Sequence, residues 1–134
     1  MLKRTTITLI ILFLMVSSLL SETDITNFSA YPKDNGIMLE WDSGIEVRLE
    51  EYEVQRSVSG GPYIAVTTIK ALGSNSRYSY FDESVFSKPT NRTYSYRLKI
   101  LDNDGSFTYS KLVSVTPTLS AARETWGSIK ALFR

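Results

Sequence analysis

The chain has 134 residues, of which 43% are hydrophobic, 22% charged and 12% aromatic, and it carries a formal charge of +1. The length fits one domain, and the balanced composition fits a folded protein. With no cysteine and no histidine, the chain has no disulfide, thiolate nucleophile, zinc–thiolate centre, imidazole base, His-ligated metal or Ser-His-Asp triad.

Lys3 and Arg4 precede an apolar run from Ile7 to Val16, followed by Ser17, Ser18, Leu19, Leu20, Ser21 and the first acid, Glu22. A basic start, a short apolar core and small residues at a boundary predict a secretory signal peptide over residues 1–21, cleaved after Ser18 or Ser21. A spanning helix needs about 20 apolar residues. The run from Ile7 to Leu20 is shorter and is broken by serines, which favours a cleaved signal over an uncleaved anchor. Export to the periplasm, the cell surface or the medium is therefore expected. The mature chain would keep 13 basic and 14 acidic residues. That near-neutral balance does not point to nucleic acid.

From residue 22 to 117 the pattern has period two, as in half-buried strands. A first strand carries Ile25, Phe28 and Tyr31 and is ended by Pro32 and the turn Lys33-Asp34-Asn35-Gly36. A second places Ile37, Leu39 and Trp41 on one face. A third turns Tyr52 and Val54 inward. After the turn Ser59-Gly60-Gly61-Pro62, residues 63–69 form a fourth, with either Ile64 and Val66 or Tyr63 and Ala65 inside. Arg77–Asp82 is a fifth. Tyr94, Tyr96, Leu98 and Ile100 share a face of the sixth. Asn103-Asp104-Gly105 then turns the chain into a seventh strand with Phe107, Tyr109, Val113 and Val115. Leu112 interrupts that alternation, which predicts a bulge or bend near Ser110. Seven strands with regular turns predict an all-β, immunoglobulin-like sandwich.

The segment 24–117 resembles a fibronectin type III domain. Trp41 in "GIMLEW", the run "YEVQRS" and the hairpin "YSYRLKILDNDGSFTYSKLVSV" carry the likeness, and the lack of cysteine agrees with it. The loop after Asp82 lacks that family's common Leu-x-Pro-Gly run. The hairpin looks most like those of secreted bacterial proteins. The resemblance implies that Trp41 is a core residue and that Tyr94 is a tyrosine corner, its hydroxyl bonding to backbone just upstream.

Residues 118–134 predict an appended amphipathic helix, capped by Thr118 or Ser120. Leu119, Ala122, Trp126, Ile129 and Phe133 recur at helical spacing, and Leu132 widens the stripe. So short a helix is marginal alone in water and must bury that face. It suits three occupants: its own sandwich, a protein partner or second copy, and a membrane surface.

Several clusters have the residue types of a site. Asp102-Asn103-Asp104-Gly105-Ser106 has calcium-loop residue types, but the distal Glu is missing and a hairpin turn explains it better. Glu46, Glu50, Glu51 and Glu53 could supply paired carboxylates for glycoside hydrolysis. Glu51 and Glu53 alternate with inward residues, however, which makes them a solvated face. Tyr78, Tyr80, Tyr94, Tyr96 and Tyr109 would form a platform for carbohydrate if exposed, or cross-strand pairs if not. Asn27-Phe28-Ser29 and Asn91-Arg92-Thr93 match the glycosylation pattern, which matters only in a eukaryotic secretory pathway.

The expected function is therefore non-enzymatic, with no catalytic, cofactor-binding or metal site. The chain reads as a secreted or cell-envelope interaction module that binds a protein partner through sandwich loops or the helix stripe. A carbohydrate-binding accessory domain is the alternative. Ile37, Leu39, Trp41, Tyr52, Val54, Tyr94, Tyr96, Leu98 and Ile100 are the expected core.

Overall fold

The computed structural model describes residues 23–85 and 91–117. The expected signal segment 1–21 lies outside them. So does the expected helix over 118–134, with all six residues of its apolar stripe. Among the described residues no helix is long and apolar enough to cross a membrane.

The strands are β1 (Ile25–Lys33), β2 (Gly36–Ser43), β3 (Leu49–Val58), β4 (Ile64–Lys70), β5 (Arg77–Asp82), β6 (Tyr94–Asp102), β7 (Phe107–Tyr109) and β8 (Val113–Val115). A 3-10 turn, Glu83–Val85, follows β5. One sheet has the order β1-β2-β5. The other has the order β4-β3-β6-β7, with β8 also pairing β6. All pairings are antiparallel.

The expected fold is thus corrected. It was seven strands with an appended helix; the described chain is all-β with eight strands in sheets of three and five, and no α-helix among the described residues. The extra strand arises at Ser110. β7 pairs Lys99 with Tyr109, whereas β8 pairs Tyr96 with Val113. The register slips by one residue between them. Ser110 holds the break: its N–H donates to the Leu98 carbonyl at 2.9 Å, and its Oγ accepts the Leu98 N–H at 2.8 Å. A one-residue slip reverses the faces of a strand. Phe107 and Tyr109 consequently point to solvent, while Val115 is buried and Val113 packs on the core.

Two smaller corrections have similar causes. Pro32 does not end β1, which continues to Lys33 with Pro32 opposite Ile37. β1 is an edge strand, where the missing N–H of proline is tolerated. In β4, Val54 pairs with Thr67 but Gln55 pairs with Ala65, leaving Val66 as a bulged residue. The bulge resets the alternation. Val66 and Ile69 pack on the core while Ile64 is exposed, so neither simple face pattern applies.

Each of the nine expected core residues is buried. Trp41 stacks on Tyr78 with centroids 5.3 Å apart and meets Tyr52 edge-on at 5.7 Å. Phe28 closes the cluster at 6.2 Å from Trp41. Such aromatic pairs add about 0.5–1.5 kcal/mol each beyond the area they bury. Gly36 sits against Phe81, where an added Cβ would lie 2.5 Å from its ring. Only glycine fits that approach of β2 to β5.

Candidate functional site

Two carboxylates tie the inner tyrosines down. Asp82, only 1% exposed, ends β5. It accepts Arg56 Nη1 at 2.6 Å, Tyr96 Oη at 2.9 Å and Ser84 Oγ at 2.6 Å. Burial pushes its carboxyl up, but the bonds from Ser84, Arg56 and Tyr96 outweigh that and hold it below the usual range. Close by, Tyr94 Oη donates to the Val85 carbonyl at 3.3 Å. At the other end Glu46 accepts the hydroxyls of Tyr52 and Tyr78 at 2.8 and 2.7 Å, and the Gly73 N–H at 2.9 Å. Burial and the nearby carboxylate raise the Tyr52 hydroxyl well above the tyrosine range. These groups join strands and loops, and their hydrogen-bonding capacity is used within the fold.

The acidic stretch does not converge. Glu46 serves the two tyrosines, Glu53 accepts Gln55 Nε2 at 2.6 Å, and Glu51 stands opposite Lys70. The Asp102–Ser106 segment is a turn in which Gly105 has φ +86°. There Asp104 Oδ1 accepts both the N–H and the hydroxyl of Ser106. No metal-holding group of acidic residues occurs among the described residues.

The outer face of the five-stranded sheet is different. Arg97 and Lys99 alternate with the buried Tyr96, Leu98 and Ile100 of β6 and therefore point outward. The Arg97 guanidinium lies 4.0 Å from the ring centroids of both Tyr63 and Tyr109. Its Nε donates to Gln55 Oε1 at 2.8 Å. The Lys99 ammonium lies 4.4 Å from the Phe107 ring. Phe107 and Tyr109 meet edge-on at 5.5 Å and remain 50% and 45% exposed. Arg97 and Lys99 form no ion pair among the described residues; the pairs that occur there are Arg56–Asp82 and Arg77–Asp42. Tyr109 also lines a groove of about 460 Å³ between the start of β1 and the β7–β8 break, where Asp24 and Lys111 lie.

Of the five tyrosines expected as a platform, the structure leaves only Tyr109 on this face. Tyr78, Tyr94 and Tyr96 are buried, and Tyr80 packs partly against the core. Tyr63, Arg97, Lys99 and Phe107 were not singled out from the sequence. The alternation of Arg97 and Lys99 with inward residues was a usable signal. The slip at Ser110, which exposes Phe107, was not legible in detail.

A further exposed patch lies on the loops at one end. Ile45 and Val47 precede β3, and Leu72 follows β4; Val47 and Leu72 are 71% and 69% exposed. Glu46 and Ser74 tie these loops together.

No family model and no curated protein matches the chain. Among solved structures it is similar to pectate lyase Pel3 from Pectobacterium carotovorum, at 22% identity and a TM-score of 0.51 over 71% of this chain and 27% of the lyase. It is likewise similar to pectate lyase PelI from Erwinia chrysanthemi, crystallised with tetragalacturonic acid, at 16% identity and a TM-score of 0.52 over 71% and 28%. A Fn3-like protein from Clostridium thermocellum is 26% identical over 74% of this chain and 98% of its own, with a TM-score of 0.48. The chain spans about a quarter of the length of the pectate lyases it matches, and its likeness to them is one of fold.

Proposed function

We propose that the chain is an exported, non-catalytic binding module that holds its ligand on the outer face of the five-stranded sheet. The observation that carries this reading is the row Tyr63, Arg97, Tyr109, Lys99 and Phe107. Half-exposed aromatic rings stand here beside two cations that form no ion pair among the described residues. They offer flat apolar area and charge at little conformational cost. The inner carboxylates, by contrast, are consumed by structural hydrogen bonds. The fold shared with parts of two pectate lyases suits an accessory module for carbohydrate. Affinity electrophoresis through gels that contain different polysaccharides tests the reading. Retardation that is lost in Tyr109→Ala supports it; unchanged mobility in every gel removes it.

The end loops favour a second reading, a protein contact through Ile45, Val47 and Leu72. Exposed apolar residues clustered on paired loops suit the core of a protein interface. In that case Leu72→Asp abolishes association with the partner, and Tyr109→Ala leaves it intact.

A further inference from the structure

Resting on the outer-face reading, we infer that the ligand is an acidic polysaccharide whose sugar units carry carboxylates, a polyuronate. The argument begins with Arg97. Its Cζ lies over the rings of both Tyr63 and Tyr109, 4.0 Å from each centroid, and its Nε donates to Gln55 Oε1 at 2.8 Å. Three contacts, from two rings and one amide, thus restrain the guanidinium. Its Nη N–H groups make no hydrogen bond among the described residues. A guanidinium edge held in this way presents the fork that binds a carboxylate through two parallel hydrogen bonds. Fixing it beforehand removes the ordering cost that a free arginine would bring to binding.

Lys99 supplies a second positive charge on the same strand and face, two residues along. Phe107 and Tyr109 lie beside these cations with about half their surface exposed. A uronate chain repeats the complementary pair of features in every unit: a ring face with apolar C–H groups and a carboxylate. An acidic peptide brings carboxylates but no flat rigid face, and a neutral glycan brings the face without the charge. Glu53, which shares the surface, is turned to Gln55 at 2.6 Å. Glu51 stands opposite Lys70. The groove that Tyr109 also lines carries Asp24 as well as Lys111, so it adds no net positive charge.

The test uses the full chain, with polygalacturonate, neutral xylan and poly-L-glutamate as probes in separate binding titrations. Polygalacturonate should bind, weakening with added salt. Arg97→Gln should lower its affinity about tenfold or more, as loss of a charge-assisted pair implies. Arg97→Lys should recover little, because it restores the charge without the fork. A single cooperative unfolding transition would show that each variant is folded; Lys99→Gln provides a second variant if Arg97→Gln is not. Binding of xylan with no response to Arg97→Gln would overturn the acidic-ligand inference and leave the binding module standing. Equal affinity for poly-L-glutamate would overturn it in favour of an acidic protein partner. No binding to any probe would remove both the inference and the reading on which it rests.

Discussion

β6 shows one sequence used in two ways. On its inner face Tyr94 and Tyr96 are buried, and their hydroxyls reach the Val85 carbonyl and Asp82. On its outer side Arg97 is gripped by the rings of Tyr63 and Tyr109, which contribute their π faces. A buried tyrosine needs a hydrogen-bond partner for its polar tip, whereas an exposed one can leave that tip in water and offer the ring. Tyrosine content alone therefore says nothing about a binding platform. The side of the sheet decides, and the side is set by register.

The contrast is most sharply broken at Asp82. Asp82→Ala would leave the Tyr96 hydroxyl buried without its acceptor and the part-buried Arg56 guanidinium with only Ser84 Oγ at 2.6 Å. Arg56 Nε already lacks a partner among the described residues. Removing one partner of a buried ion pair costs about 3–5 kcal/mol. Urea unfolding should show that loss; a change below about 1 kcal/mol would mean that Asp82 behaves as a surface carboxylate. The same site gives an acid limb. Its folded pKa is depressed, so its contribution is present above the unfolded aspartate value of about 3.9 and is lost as pH falls through the lower folded value. At the alkaline side Tyr52, Tyr78 and Tyr96 have raised values. Their contribution is intact below about pH 10 and declines as pH rises through the folded values. A midpoint that stayed flat above pH 10 would contradict these inner hydroxyl bonds.

Gly36→Ala tests the close approach of β2 to β5. The new methyl would meet the Phe81 ring and the Asp82 carbonyl at 2.5 and 2.7 Å. Overpacking of this kind costs about 1–3 kcal/mol. Because Phe81 could swing away but the Asp82 backbone cannot, the loss should persist in Gly36→Ala with Phe81→Leu. Full recovery in that double variant would place the clash on the ring alone.

Ser110→Ala probes the register slip itself. Without the hydroxyl the Leu98 N–H loses its acceptor at 2.8 Å, at a cost of about 1 kcal/mol or more. If β7 then re-pairs to continue the register of β8, Phe107 and Tyr109 both turn to the inner face and outer-face binding disappears along with stability. Hydrogen exchange at Leu98 and ligand titration together separate a lost bond from a lost register.

What the sequence revealed follows the same division. Ile37, Leu39 and Trp41, or Tyr94, Tyr96, Leu98 and Ile100, alternate without interruption, so their inward facing could be read directly. The bend near Ser110 could be anticipated from the misplaced Leu112. Its consequence could not, since a slip and a simple bend place Phe107 and Tyr109 on opposite sides. Val66 raised the same difficulty in β4: a bulge changes which residues are inside without leaving a turn residue to mark it. Tyr63, just ahead of β4, joins Arg97 of β6 across the one intervening strand, β3, a juxtaposition set by strand order. The roles of Glu46 and Asp82 were equally hidden. Nothing local distinguishes a carboxylate that gathers hydroxyls from one that faces water.

The smallest effect concerns the outer clamp. A cation–π contact at a partly exposed site is worth about 0.5–1 kcal/mol. Tyr109→Ala and Arg97→Ala should each lower stability by about that much, and the double variant by less than the sum, because the two share one contact. On ligand binding the same substitutions should act far more strongly, since each removes part of the surface that meets the ligand. That inequality separates the two faces of β6. Inner residues such as Asp82 should show a large stability loss, with binding falling only as the fold is lost. Arg97 and Tyr109 should show the reverse. If instead the Arg97–Tyr109 coupling energy exceeded the effect on every ligand, the clamp would be a cross-strand brace of the sheet. The outer face would then belong with the inner one as a source of stability alone.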